Sequence, residues 1–265
     1  MSTEVSILIP HYKTLKMTQL CLRLIKSHTD LERVEIIVED NGSNDESSEY
    51  LKKLDWISLI TREKVIGESG AQSHSNALNL ALERVSTPYV LSIHTDTFVI
   101  DSGWLDYLLD AIKSDKELAG VGSWKLEFKP LYKRVLKQIE KFWQLRVWYP
   151  ILNKGEGGVN GIGGNYYYLR SHCALYKTEY VRDYTNGFND GGETAGKVMH
   201  NKLVENGFSM KFLDANELSR YVRHLNHATA ILNPELHGKR TGKKKQLNRI
   251  EKELNHIERS VTADD

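Results

Sequence analysis

The chain is poor in cysteine, nearly neutral in net charge and without long apolar runs. Two cysteines, Cys21 and Cys173, in 265 residues are too few for a disulfide framework and have no metal-type spacing. Lys and Arg number 36 against 35 Asp and Glu, a formal charge of +1, which argues against a dedicated nucleic-acid binder, normally basic throughout. No apolar run approaches the ~20 residues that cross a bilayer. Met1-Ser-Thr-Glu4 lacks the basic opening of a secretory leader. These absences predict a cytoplasmic protein, and no internal repeat is present. The 40% hydrophobic and 27% charged residues are those of an ordinary globular chain, long enough for one large domain with an appended tail.

What is present alternates between strand and helix signals. Val5-Ser-Ile-Leu-Ile9, 34–38, 57–60 and 88–93 are short apolar runs bounded by turn residues, as buried strands are. Between them, Met17, Leu20, Cys21, Leu24, Ile25 and His28 recur at helical spacing, as do Ala71, His74, Leu78, Ala81, Leu82 and Val85. Cys21 thus reads as a small buried thiol. Ser43-Asn-Asp-Glu46 has the form of a capping box opening a helix through Leu54. A helix over 104–112 follows Asp101 or Ser102 as cap. This order predicts an α/β fold, a doubly wound, mainly parallel sheet.

The second half is less regular. An amphipathic, basic helix is expected over 131–148, a glycine-rich loop over 153–165 and a strand over 166–169. A helix over 194–205, a strand over 210–213 and a basic, then helical, tail over 234–265 complete the reading. The glycines of 155–164 lack the G-x-G-x-x-G spacing and do not follow the first strand, which excludes a dinucleotide fingerprint. A loop closing over a ligand fits them better. Trp124, Trp143, Trp148 and Tyr166 to Tyr168 could stack on sugar rings, although core and rim packing explains most of them.

Two strand ends carry chemistry. Asp40 and Asn41 stand where 34–38 meets a turn; a carboxylate there can accept from a base N–H or a ribose hydroxyl, and equally serves a plain turn and helix cap. His94-Thr95-Asp96 ends the 88–93 strand with two ligand-type side chains at i and i+2, which point the same way. A divalent cation there could neutralise a leaving diphosphate; the carboxylate suits Mg2+ or Mn2+, while the imidazole leans towards Mn2+ or softer ions.

Val5-Ser-Ile-Leu-Ile-Pro-His-Tyr12, Ile36-Ile-Val-Glu-Asp-Asn-Gly-Ser-Asn-Asp45 and Tyr89-Val-Leu-Ser-Ile-His-Thr-Asp-Thr97 together resemble the opening signature of family 2 glycosyltransferases of the GT-A fold. The resemblance covers 5–115 and continues more loosely to about 230. It implies an inverting, metal-dependent transfer of sugar from a nucleotide-diphosphate donor, with Mn2+ or Mg2+, in polysaccharide or glycoconjugate assembly. It divides the chain into a GT-A domain over 1–233, with a nucleotide-sugar half over 1–115 and an acceptor half over 116–233, and the tail. By it, Pro10, His11 and Tyr12 line the nucleoside pocket, and Asp40 with Asn41 holds base or ribose. Asp96 is the last acid of an Asp-x-Asp motif and ligates the metal. The first acid is replaced by His94, which ligates the metal or instead bonds the diphosphate or ribose. His74 and Asn79 are the nearest matches to an Arg-Asn pair.

By position, Glu193, then Asp190, is the expected general base, although the family's Glu-Asp pair is absent; a carboxylate favouring a helix N-terminus is the competing explanation. His224, with Arg223 and His227 as neighbours, resembles a late histidine that reaches metal or diphosphate. The expected acceptor is a glycan or lipid-linked glycan. The basic runs over 129–146 and 239–245 suit peripheral contact with anionic lipid at the inner membrane face, or are solvated charge. The altered motif also fits a non-catalytic GT-A protein that binds nucleotide or glycan. A sugar-phosphate nucleotidyltransferase would carry a Gly- and Arg-rich loop where this chain has Pro10-His-Tyr-Lys13.

Overall fold

The structure is a computed structural model that describes residues 3–126, 166–192, 194–226, 228–233 and 244–262, with positions 136, 139, 140, 142, 143 and 146 between them. The predicted loop over 153–165 and most of the 131–148 helix lie outside the described residues. The positions described within 131–148 are exposed.

A seven-stranded sheet has the order β3-β2-β1-β4-β7-β6-β8. Its first half is β1 (Val5–His11), β2 (Val34–Asp40), β3 (Ser58–Thr61) and β4 (Tyr89–Ile93), all parallel. Helices α1 (Leu15–His28), α2 (Glu46–Leu51) and α3 (Gly70–Leu82) connect them. The strands read as near-continuous apolar runs because both faces are covered. Val5, Ile7 and Ile9 join one core cluster with Val34, Ile36, Val38, Leu91 and Ile93, whereas Leu8, Ile37 and Val90 join the other. The period of two thus sorts the side chains between the helical layers. Met17, Leu20, Cys21, Leu24 and Ile25 of α1 pack on the first face, and Leu78, Ala81 and Leu82 of α3 on the second.

The cap of α2 is Asp45, whose side chain accepts from Ser47 N at 2.9 Å. The expected cap, Ser43, sits two residues too early and accepts from Lys13 N at 2.8 Å. Asn44, at φ 49°, turns the chain between them. Helix α3 opens with a reciprocal capping box between Ser69 and Gln72.

The sheet continues through β6 (Leu118–Gly122), β7 (Cys173–Lys177) and β8 (Ser209–Phe212). Strand β7 is antiparallel to both β4 and β6, while β6 and β8 are parallel. One strand therefore runs against the other six. Gly120 opposes Tyr176 in the ladder; a Cβ there would meet the tyrosine ring at 2.6 Å, so this strand needs its small residues. The predicted strand over 166–169 is not one; Leu169 instead ties to His200 and Tyr176 through its backbone.

Helix α4 (Trp104–Lys113) covers the α1 face. After β7 come α5 (Thr178–Tyr184), a 3-10 segment (Gly187–Gly192), α6 (Lys197–Glu205), α7 (Ala215–Leu218), α8 (Ala228–Leu232) and α9 (Lys244–Thr262). Ile250, Leu254 and Ile257 of α9 are buried in the α1-side core. A separate ribbon pairs β5 (Thr97–Val99) with β9 (Val222–His224), with Thr97 opposite His224. This ribbon sets up the site.

Candidate functional site

Strand β4 ends at Ile93, and the chain turns at once: Thr97 N donates to His94 O at 3.0 Å. Strand β5 then pairs with β9, which lays His224 beside this turn. Leu225 N donates to Asp96 O at 2.8 Å and fixes the approach. Asp96 is 4% exposed. Its Oδ2 accepts from Ala228 N at 3.3 Å, while Oδ1 is buried without a hydrogen-bond partner among the described residues. That free oxygen lies 3.3 Å from His224 Nε2 and 3.7 Å from His94 Nδ1.

One donor atom from each of His94, Asp96 and His224 lies within 4.8 Å of the others. Two atoms bound to one ion at about 2.1 Å stand roughly 3 Å apart when cis and about 4.2 Å when trans; the two imidazole nitrogens, 3.3 and 3.7 Å from the Asp96 oxygen, lie within that span, so small side-chain adjustments would let the three share a divalent cation. His224 Nδ1 is also buried and unpartnered among the described residues, and a buried polar atom left this way costs stability unless something answers it.

Two further imidazoles close round this group. His74 reaches in from α3, its ring 4.6 Å from that of His94. His172, directly before β7, stacks on His224 at 4.6 Å and 8°. Ser171 Oγ lies 2.9 Å from His94 Nε2 and 3.2 Å from His74 Nε2, and Ser123 Oγ 3.1 Å from His172 Nε2. Burial, reinforced by the neighbouring imidazoles, holds His94 and His172 well below the ordinary histidine value. Burial lowers His74 to about 4 against the pull of Asp96. These rings are neutral at pH 7, with a lone pair available.

Sequence reading placed His74, His94, Asp96 and His224 here and missed Ser171, His172 and Ser123. Because β7 runs backwards, its N-terminal end lies at the edge where the parallel strands have their C-terminal ends. Ser-His before an apolar run was the only signal.

Across the same edge, Asp40 is fully employed. Its Oδ1 accepts from Ser43 N at 3.1 Å and Oδ2 from Ser48 Oγ at 2.5 Å. Asn41 accepts from Arg62 at 2.7 Å and donates to Ser73 Oγ at 2.7 Å, tying β2 to the start of α3. His11 differs from the expected nucleoside contact. Its ring is 1% exposed, and both nitrogens are taken, by Ser47 Oγ at 2.8 Å and Thr18 Oγ at 3.0 Å. It supports the edge from beneath, and burial lowers it to about 4. Pro10 and Tyr12 are partly exposed, with Lys13 and Lys64 over the Tyr12 ring at 5.3 and 5.7 Å. Thr95 is buried.

Asn79 departs from its expected ligand role. It donates to Asn186 O at 2.9 Å and accepts from Asn189 N at 3.1 Å, so it braces a turn against α3. Gly187 lies so close that a Cβ would meet Asn79 Oδ1 at 2.5 Å. Asp190 is likewise committed: Lys202 Nζ lies 2.9 Å away and Asn186 N donates at 3.2 Å. Glu193 and His227 lie outside the described residues. Arg223 points to solvent. Beside His172, the Arg170 guanidinium lies over Trp124 at 5.3 Å and Tyr168 at 5.7 Å, two rings that meet edge to face at 78°.

Comparison with known proteins bears on the fold and the family. A mannosyltransferase from Pyrobaculum calidifontis, solved with GDP-Man and Mn2+, superposes with a TM-score of 0.52 at 15% identity, over 81% of this chain and 56% of that one. TarS 1-349 from S. aureus gives 0.50 at 13% identity, over 80% and 58%. The chain thus spans less than three-fifths of either, and the likeness is one of GT-A fold. No curated protein matches the chain. Residues 6–185 match Glycosyl transferase family 2, more than half of the chain, and the protein belongs to that family.

Proposed function

We propose that the protein transfers a glycosyl group, with inversion, from a nucleotide-diphosphate sugar to an acceptor hydroxyl in polysaccharide or glycoconjugate assembly. The observation that carries this is the Asp96 oxygen, without a hydrogen-bond partner among the described residues, that lies between His94 and His224 at the ligand edge of the sheet. Family membership supports the donor class, as does the GDP-Man held by the P. calidifontis mannosyltransferase. Asp96, His94 and His224 would hold Mn2+ or Mg2+; when bound, such an ion neutralises charge on the departing diphosphate.

The remaining work falls to the chain. Pro10 and Tyr12, with the edge shaped by Asp40 and Asn41, receive the nucleoside. The acceptor oxygen attacks the anomeric carbon as its bond to the diphosphate breaks, and the acceptor proton passes to a carboxylate. Asp190 is paired with Lys202, which leaves Glu193, three residues later in the sequence, as the proposed base. Residues 1–115 act as the donor half and 116–233 as the acceptor half.

For the acceptor we propose a glycan, free or lipid-linked, met at the inner face of the membrane. Leu136, Ile139, Phe142 and Trp143, all about half exposed or more, support this contact beside the basic residues of 129–146. No described helix is long and apolar enough to cross a bilayer.

The test measures release of nucleoside diphosphate from a panel of nucleotide sugars, with and without Mn2+, and the anomeric configuration of the product. Release of nucleoside diphosphate with an inverted product is the expected result. Nucleotide binding without release from any donor would point to the non-catalytic alternative.

A further inference from the structure

The proposed cation site differs in chemistry from a pair of acids. Of its three converging donors, two are imidazole nitrogens and one is a carboxylate oxygen. Asp96 is its only carboxylate among the described residues. Asp40, the other acid at this edge, has both oxygens engaged by Ser43 and Ser48. The local formal charge is therefore −1, where an Asp-x-Asp site would offer −2.

The imidazoles are also built in as ligands. Ser171 Oγ holds His94 Nε2 at 2.9 Å, while Nδ1 of the same ring faces Asp96. When Nε2 carries the proton and donates to Ser171, Nδ1 presents its lone pair to the site. Holding the second nitrogen in this way is the usual means of aiming a ligating histidine. His224 directs Nε2 at Asp96, and its ring is fixed by stacking on His172. Both rings thus point a nitrogen at the free carboxylate oxygen.

Mg2+ demands oxygen ligands, gives up water reluctantly and gains little from imidazole. First-row transition ions gain from each nitrogen, increasingly from Mn2+ through Co2+. We infer that the His94-Asp96-His224 cluster selects a first-row transition ion over Mg2+, binding it through two imidazole nitrogens and one carboxylate oxygen.

The inference rests on the cation reading above, and its test separates the two. Tag-free protein, stripped with chelator, is titrated calorimetrically with Mg2+, Mn2+ and Co2+ separately, without donor. Mn2+ and Co2+ are expected to bind at least about tenfold tighter than Mg2+. Pulsed EPR of the Mn2+ form should show nitrogen couplings from two imidazoles.

His94→Asp, checked for folding by circular dichroism, should narrow the Mn2+ to Mg2+ ratio and remove one nitrogen coupling. Should that variant not fold, His224→Asp provides the same reading, and the wild-type titrations and spectrum are decisive alone. Mg2+ binding within about threefold of Mn2+, or a Mn2+ spectrum without nitrogen coupling, overturns the inference and leaves the cation reading standing. Absence of binding by all three ions overturns both.

Discussion

Two aspartates end neighbouring parts of the same sheet, and the protein treats them oppositely. Asp40 closes β2 with both oxygens occupied by Ser43 N and Ser48 Oγ. Asp96 follows β4 with one oxygen held by Ala228 N and the other buried without a hydrogen-bond partner among the described residues. A satisfied carboxylate organises a turn. One left with an open oxygen, facing two imidazole nitrogens, is what the proposed cation site draws on. Position at the ligand edge does not by itself separate these roles; the accounting of hydrogen bonds does.

The contrast is broken most directly at Asp96. Asp96→Asn keeps an acceptor for Ala228 N and removes the charge. Turnover should fall at least ~100-fold, while unfolding free energy changes by less than about 1 kcal/mol; full turnover in a nucleoside diphosphate release assay would sink the assignment. Asp40→Ala should show the reverse balance. It strands Ser43 N and Ser48 Oγ, so urea denaturation should reveal a loss of about 1–3 kcal/mol. An unaltered unfolding midpoint would mean that Asp40 is no turn organiser.

Glu39, one residue earlier, sharpens the point. Its carboxylate is buried without hydrogen-bond partners among the described residues. Burial, opposed by Arg62 and aided by Asp40 and Glu68, pushes it up to about 8 from an ordinary 4.5. Between those values the folded chain keeps a proton that the unfolded chain has released, so Glu39 erodes stability as pH rises through that window. Glu39→Gln removes this slope. Stability at pH 8 should rise by roughly 1–2 kcal/mol, with no gain near pH 4.5; parallel stability curves for the two proteins would refute it. The smallest effect is expected at His172. Its ring stacks on His224 without a hydrogen bond between them, so His172→Ala should weaken Mn2+ binding about threefold to tenfold, at or below the usual range for an outer-shell residue. Unchanged affinity would make the ring simple packing.

The first half of the fold was legible because its strands are short Val/Ile runs and its helices keep one apolar stripe, as in α1. The His94-Asp96 pair was legible for a related reason: an apolar run stops abruptly in ligand-type residues. The middle of the chain was not. Strand β6, Leu-Ala-Gly-Val-Gly, is small because Tyr176 lies across Gly120, and a glycine-containing run carries little strand signal. The reversed direction of β7 left no trace in hydrophobic period, so His172 was invisible as a site residue. Asn79 and His11 resembled ligands by position, yet the bonds they make are to neighbouring protein groups, which only tertiary contact reveals.

One small clasp has a wider consequence. Arg170 N donates to Ser123 O at 3.0 Å, so the chain between them departs from and returns to a single spot, beside His172 and the Trp124–Tyr168 pair. The entropic cost of joining two fixed anchors grows only slowly with the length of chain between them. Grafting a different sequence between these two anchors is therefore expected to leave the pairing of β6 with β7 intact.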